Sequence, residues 1–156
     1  MSLLAEYQTA HHTESLARLR RVLALRAMLA TGTNQREIAA ALGISQSAIS
    51  QQTKTRLAKH TDPVTLVDAA GPILRDVAAA RGWSDLAVFG SVARRDARPD
   101  SDVDLIVRPP AGTTIKDVEA MRRLLETILE RPVDLITYGG LAPGIDDDIL
   151  REAILL

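Results

Sequence analysis

Two aspartates, Asp102 and Asp104, are separated by one valine and followed by the apolar run 105–107. The run predicts a β-strand, in which acids two positions apart project from the same face, roughly 7 Å from each other along the chain. Carboxylate oxygens placed in this way can share divalent cations. The pattern therefore predicts a β-sheet that presents two acidic groups at one point, with apolar residues behind them.

A third acid and a glycine-serine pair extend this pattern. Asp134 is the one charged residue in a second strand-like run, where an isolated acid favours a cation partner, although pairing with Arg131 is the alternative. Gly90 and Ser91 follow an apolar run and are expected at a strand-to-helix turn, where amides and a hydroxyl can hold phosphate. Nucleotidyl transfer with two metal ions needs a carboxylate cluster of this kind.

Residues 63–156 alternate between strand-like and helical patterns. Short apolar runs predict strands at 86–89, 103–107 and 133–136, and helical spacing predicts helices at 72–80 and 116–129. This alternation predicts a small α/β domain with a mixed sheet.

Residues 1–62 have an all-helical pattern instead. Apolar residues at helical spacing predict a helix over 13–30. Asn34, with Glu37 three residues later, predicts the start of a second helix that ends at Gly43, and Ser45 predicts the cap of a third. The side chains expected to fill the core between these helices are Leu42, Ile44 and Ile49. A linker is expected near residues 61–63, where the pattern breaks.

The segment 16–58 resembles the helix-turn-helix of the Xre/Cro repressor group. Polar side chains on the outward face of the third helix can read base edges in a major groove, and they are Gln46, Ser47, Ser50, Gln51 and Lys54. The alternative is an ordinary helical hairpin in which Gly43 merely ends a helix. Because helix-turn-helix proteins usually bind two half-sites, the resemblance implies a homodimer on operator DNA.

Charge divides the chain at the same place. Residues 1–60 carry eight Lys/Arg against three Asp/Glu, and residues 61–156 carry eleven against seventeen. A basic front half suits phosphate backbones, and an acidic second half suits cations. With no cysteine, no apolar run of membrane-spanning length and no signal-peptide layout, we expect a cytoplasmic protein without membrane contact.

Residues 72–138 resemble the minimal nucleotidyltransferases of the DNA polymerase beta superfamily, with Gly90, Ser91, Asp102, Asp104 and Asp134 matching the motif. The resemblance implies that Asp102 and Asp104 hold two Mg²⁺ ions, that Asp134 binds the ion that activates the acceptor hydroxyl, and that the Gly-Ser pair holds the triphosphate of ATP. Many relatives have glycine after an Ala-Arg pair, where this chain has Arg95.

The expected architecture is α+β, with a helix-turn-helix domain over 1–62 and a nucleotidyltransferase domain over 63–156. The 22 residues after Asp134 are too few for a separate acceptor-binding domain, so the acceptor is expected to bring its own surface. Stand-alone members of the family are commonly antitoxins, which implies transfer of AMP from ATP to a tyrosine of a HEPN-type ribonuclease toxin, with autorepression through DNA binding. The main alternative is a non-catalytic repressor whose second domain only binds a nucleotide or a partner. A small-molecule adenylyltransferase and a transcription factor without a toxin partner are further alternatives.

Overall fold

A computed structural model describes residues 2–156 of the protein. The helices and strands, in chain order, are α1 (Leu3–Ala30), α2 (Gln35–Leu42), α3 (Gln46–Lys54), α4 (Leu57–His60), α5 (Pro63–Ala79), β1 (Ser84–Phe89), α6 (Gly90–Arg94), β2 (Val103–Arg108), α7 (Ile115–Leu129), β3 (Val133–Thr137), a 3₁₀ turn (Tyr138–Gly140), α8 (Asp147–Glu152) and β4 (Ile154–Leu155). No helix within residues 2–156 is both long and apolar enough to cross a membrane.

The four strands form one mixed sheet in the order β3-β2-β1-β4, which confirms the predicted mixed sheet. β1 pairs antiparallel with β2 and β4, and β2 pairs parallel with β3 through the crossover helix α7. A parallel pair requires such a crossover, because a tight turn cannot return the chain in the same direction. β2 therefore lies inside the sheet, where neighbours on both sides hold its acidic end in place.

One face of the sheet is covered by helices. Val103, Leu105 and Val107 of β2 are fully buried, and they belong to a core that also contains residues of α1, α5 and α7. Since side chains alternate between the faces of a strand, the intervening positions 102 and 104 project from the opposite face. Alternation along the strand thus turns both acids to the same face, on which Ile106 is buried further along β2.

The C-terminal half of α1 contributes to two cores. Leu19 and Leu23 pack with α5, α7 and the sheet, whereas Leu25 packs with Ile38 of α2 and Ile49 of α3. An α-helix buries opposite stripes against different partners when apolar residues lie all around it. The domain boundary near residue 62 stays a prediction. α1 packs against α2 and α3, which precede this boundary, and also against α5 and α7, which follow it.

Two predicted helices are longer than expected. α1 begins at Leu3, where Ser2 caps it, and not at residue 13. α5 begins at Pro63, with Asp62 as its cap, and passes through Pro72, which was expected to begin the helix. Proline fits the first turn of a helix, and at an exposed interior position it removes one hydrogen bond without ending the helix. The expected linker is therefore only a brief break between α4 and α5.

The two short helices α2 and α3 begin and end where the sequence predicts. Asn34 and Ser45 accept backbone hydrogen bonds as N-caps, and Gly43 adopts the left-handed conformation with φ 67°. The predicted core was wrong in two places, because Leu42 and Ile44 are 56% and 40% exposed. The small core beside this turn is supplied by other residues, including Ile38, Ala39 and Ile49.

The cap of α5 is expected to contribute measurably to stability. The Asp62 carboxylate accepts a hydrogen bond from the Thr65 amide at 2.9 Å, and this bond lowers the pKa of Asp62. We expect Asp62→Ala to cost about 1 kcal/mol at pH 7. A carboxylate with a lowered pKa stabilises the fold above its unfolded pKa and loses this effect as the pH falls through the folded pKa. Urea unfolding at pH 7 and at about pH 3 should therefore show a smaller difference from wild type at the lower pH.

The matched control is Asp76→Ala, which removes an exposed carboxylate from the same helix. It lies far from the capped end and should change stability by less than about 0.5 kcal/mol at either pH. Equal losses in the two variants would contradict the capping role of Asp62.

Candidate active site

The three predicted acids lie at the same end of two neighbouring strands. Asp104 of β2 and Asp134 of β3 are direct partners in the parallel register, and Asp102 immediately precedes β2. Neighbouring strands are about 4.8 Å apart, so the two partners lie close together on the face of the sheet away from the helical core. Asp102 and Asp134 are exposed, while Asp104 is half-buried between them.

The charges of these acids act on one another. Burial raises the pKa of Asp104, and the negative charges of Asp134 and Asp102 raise it further. The positive charge of Arg94 lowers the pKa of the same carboxyl group. Because like charges are held together against their repulsion, the site favours the binding of positive charge.

The Gly90-Ser91 turn lies directly against Asp104. β1 ends at Phe89, which pairs with Asp104 across the sheet, and α6 begins at the next residue. Gly90 has φ 69°, and a Cβ atom at this position would lie 2.2 Å from Asp104 Oδ2. Only glycine allows the backbone to approach the carboxylate this closely. The structure thus brings the predicted phosphate-binding turn and the predicted acids together.

The donor set has the chemistry of a divalent-cation site, although its side chains are not gathered around one point. Within residues 2–156, no group of three or more His, Asp or Glu side chains is close enough to hold a metal ion. Carboxylate oxygens are the ligands that Mg²⁺ takes, and the pKa of Asp104 is raised first by burial and then by the negative charges beside it, which a cation would neutralise. The residues therefore fit Mg²⁺ in chemistry and strand placement, and metal binding by Asp102, Asp104 and Asp134 stays a prediction.

One residue beside the turn was missed in the sequence. Glu152, the last residue of α8, accepts a hydrogen bond from the Gly90 amide at 3.1 Å and forms an ion pair with Arg94 at 3.0 Å. Its charge also contributes to the raised pKa of Asp104. Glu152 is 48 positions from Asp104, and neither spacing nor motif connects the two residues.

Arg131 does not pair with Asp134, so that alternative was wrong. Its buried guanidinium donates hydrogen bonds to the backbone carbonyls of Thr61, Pro99 and Ser101. These bonds tie the end of α4 to the loop that enters β2. The carboxylate of Asp134 is left exposed at the sheet edge.

The predicted base-reading residues share one helix. Gln46, Ser47, Gln51 and Lys54 are exposed on α3, and Ser50 is half-buried. Arg18 and Arg21 of α1 line a groove together with residues of α3, among them Gln51 and Gln52. The arrangement places positive charge beside polar side chains, which is the combination that phosphate and base contacts need.

Similar proteins are known for the second half of the chain. Residues 73–156 match the model of the nucleotidyltransferase domain family. Over 73 residues, the chain is 35% identical to a protein of Methanocaldococcus jannaschii assigned as a protein adenylyltransferase, covering 47% of this chain and 78% of the relative. It is 34% identical over 73 residues to the protein adenylyltransferase MntA of Thermococcus cleftensis, covering 47% of this chain and 74% of that relative.

A solved structure described as a minimal nucleotidyltransferase has the same fold. It is 39% identical in sequence and superposes with a TM-score of 0.56. The match spans 62% of this chain and 98% of the solved one. The matched region contains the sheet, the Gly90-Ser91 turn and all three acids. Family model, relatives and fold agree, and the chain belongs to the nucleotidyltransferase domain family.

Proposed function

We propose that the protein is a Mg²⁺-dependent protein adenylyltransferase that transfers AMP from ATP to a hydroxyl group of a partner protein. The observation that carries this proposal is the placement of Asp102, Asp104 and Asp134 at one end of β2 and β3, against the Gly90-Ser91 turn. The two curated relatives described above are named protein adenylyltransferases, which supports AMP as the group and protein as the acceptor.

Each residue has a distinct part in the proposed reaction. The acceptor oxygen forms a bond to the α-phosphorus of ATP, the bond to pyrophosphate breaks, and the hydroxyl proton leaves to solvent. Asp102, just before β2, and Asp104, within it, would hold Mg²⁺, which would neutralise charge at the phosphates. Asp134, exposed on the edge strand, would bind the Mg²⁺ ion that activates the acceptor hydroxyl. Gly90 and Ser91 hold the triphosphate next to these acids.

We propose further that the acceptor is a HEPN-type ribonuclease toxin and that the chain is its antitoxin. The family resemblance of Gly90, Ser91 and the three acids supports this pairing. The test uses a helical protein that is encoded beside this chain. This partner is purified alone and also together with the chain. Incubation with ATP and Mg²⁺ should add the mass of AMP to the partner, as measured by intact-mass spectrometry. A partner that binds the chain without gaining mass would contradict transfer and favour the non-catalytic repressor.

We also propose that α2 and α3 form a DNA-binding helix-turn-helix through which the protein represses its own operon as a dimer. Support comes from the capped helices, the left-handed Gly43 between them and the exposed polar face of α3. The arginines that line the adjoining groove add the charge that phosphate contacts need.

Replacing Gln46 and Gln51 together by Ala should reduce preference for the operator. Each amide pair to a base edge contributes about 1 to 3 kcal/mol of discrimination, so a loss of roughly 10-fold or more is expected. Binding is measured by titrating the protein's own promoter and a scrambled duplex at two salt concentrations. Transfer of AMP should not change, since α3 packs against α1 and α2 and carries none of the three acids.

The matched control for base reading is Lys54→Ala, which removes a charge from the same helix. It should weaken binding to both duplexes alike and reduce the dependence on salt. A double glutamine variant that keeps the wild-type preference for the promoter would contradict base reading by α3 and favour the helical hairpin.

A further inference from the structure

The last strand of the chain places Glu152 opposite the Gly90-Ser91 turn. β4 pairs antiparallel with β1 so that Ile154 faces Val88 and Leu155 faces Ala87. The ladder ends before Glu152 of α8 and Gly90 of α6, and counting its register on by two residues sets these two residues opposite each other. Beyond β4, the Leu156 amide donates a hydrogen bond to the Leu86 carbonyl. Backbone pairing therefore brings this acid to the turn.

The contacts of Glu152 are made with both ends of α6. Oε1 of Glu152 accepts from the Gly90 amide at 3.1 Å, and the residue before α6, Phe89, provides no side-chain cap. The same carboxylate receives two hydrogen bonds from the Arg94 guanidinium, at 3.0 and 3.3 Å. One side chain thus holds both the first and the last residue of α6.

The position of α6 matters because the backbone of Gly90 lies close to the Asp104 carboxylate. A Cβ atom there would overlap Asp104, so a small rotation of the turn changes its distance to the acids. The positive charge of Arg94 lowers the pKa of Asp104, whereas the neighbouring acids raise it. A residue that fixes Gly90 and Arg94 together therefore sets the geometry between the turn and the acidic strand ends.

We propose that Glu152 is a positioning residue of this nucleotidyltransferase, holding the Gly90 turn and Arg94 in the arrangement that binds the nucleotide. It acts through these residues and does not touch the reacting atoms. The inference rests on the proposed role of Gly90 and Ser91 in nucleotide binding. It makes the C-terminal strand β4 a structural part of the active site.

Three substitutions of Glu152 separate the effect of side-chain length from that of its charge. Glu152→Gln keeps the length and the acceptor oxygen, Glu152→Asp keeps the charge and loses the reach, and Glu152→Ala loses both. Dissociation constants are measured on the full chain with a non-hydrolysable ATP analogue and Mg²⁺. We expect Ala and Asp variants to bind about 10-fold more weakly, and the Gln variant to stay within about threefold of wild type. Asp148→Asn removes a paired acid from the same helix and should bind as wild type does.

A second readout does not depend on the nucleotide. The backbone amide resonance of Gly90 should shift in Glu152→Ala and Glu152→Asp, and should stay near its wild-type position in Asp148→Asn. If wild type itself binds no nucleotide, the proposed function fails, and this resonance alone decides the positioning role. Unchanged affinity with an unmoved Gly90 amide would overturn the inference. Tighter nucleotide binding in Glu152→Ala would also overturn it, because the carboxylate would then be blocking the site. If the Ala variant does not fold, the comparison of Asp with Gln gives the same decision.

Discussion

Asp104→Asn is expected to abolish nucleotidyl transfer and, at the same time, to raise the melting temperature of the protein. Transfer should fall by roughly 100- to 1,000-fold or more, since one carboxylate of the charge-stabilising cluster is lost. Stability should rise because burial and the charges of Asp134 and Asp102 raise the pKa of Asp104. A carboxyl group with a raised pKa favours folding while it is protonated, and this contribution is lost as the pH rises through the unfolded and then the folded pKa.

The neutral amide removes that penalty at pH 7, and the gain should shrink as the pH is lowered towards about 4. Melting curves at the two pH values, together with transfer rates at pH 7, measure both effects on the same preparation. Operator binding is expected to survive, since α2 and α3 do not contain Asp104. Loss of stability together with loss of transfer would contradict this interpretation, because Asp104 would then be a structural residue.

Gly90→Ala is expected to damage both the fold and the activity. The new Cβ would lie 2.2 Å from Asp104 Oδ2, and φ 69° is a conformation that alanine disfavours. Relief requires a shift of the turn or of Asp104, and overpacking of this kind costs about 1 to 3 kcal/mol in addition to the backbone strain. Transfer should fall by about 100-fold, since the turn and the acids can no longer keep their spacing.

Gly43→Ala is the matched control. Gly43 has φ 67°, and apart from its own chain neighbours no atom of residues 2–156 lies within 4 Å of the place that an added Cβ would take. The substitution therefore isolates the strain of the left-handed backbone, about 1 to 2 kcal/mol. Urea unfolding of both variants then gives the cost of the overlap with Asp104 by difference. Equal losses in the two variants would show that the turn can move away from Asp104 without penalty.

The centre of the site could be predicted from local sequence. Asp102, Asp104 and Asp134 interrupt apolar runs, and alternation along a strand then decides which face they share. The strand-to-helix turn at Gly90 could be placed because glycine and serine follow an apolar run directly. Caps such as Ser45 were equally visible, since capping depends on residues close in sequence.

The remaining features depend on contacts between distant segments. Glu152 reaches Gly90 only through the pairing of β4 with β1, and a two-residue strand leaves almost no periodic signal. Leu42 and Ile44 follow the pattern of buried residues, but both side chains remain exposed at the end of α2. Arg131 lies near Asp134 in sequence, yet three carbonyls from other segments bind its guanidinium. For Glu152 and Arg131, tertiary contacts override the local pattern, and nothing in the part of the chain that the structure describes packs over Leu42 and Ile44.

ATP labelled at the α- or the γ-phosphate tests most directly whether the acidic strand ends transfer a nucleotide to protein. Wild type and Asp104→Asn are each incubated with Mg²⁺ and the proposed partner protein, and the label bound to protein is counted. We predict incorporation from α-labelled ATP by wild type alone, and none from γ-labelled ATP. Label from the γ-phosphate would indicate a kinase, and equal α-label in Asp104→Asn would contradict the assignment of the site.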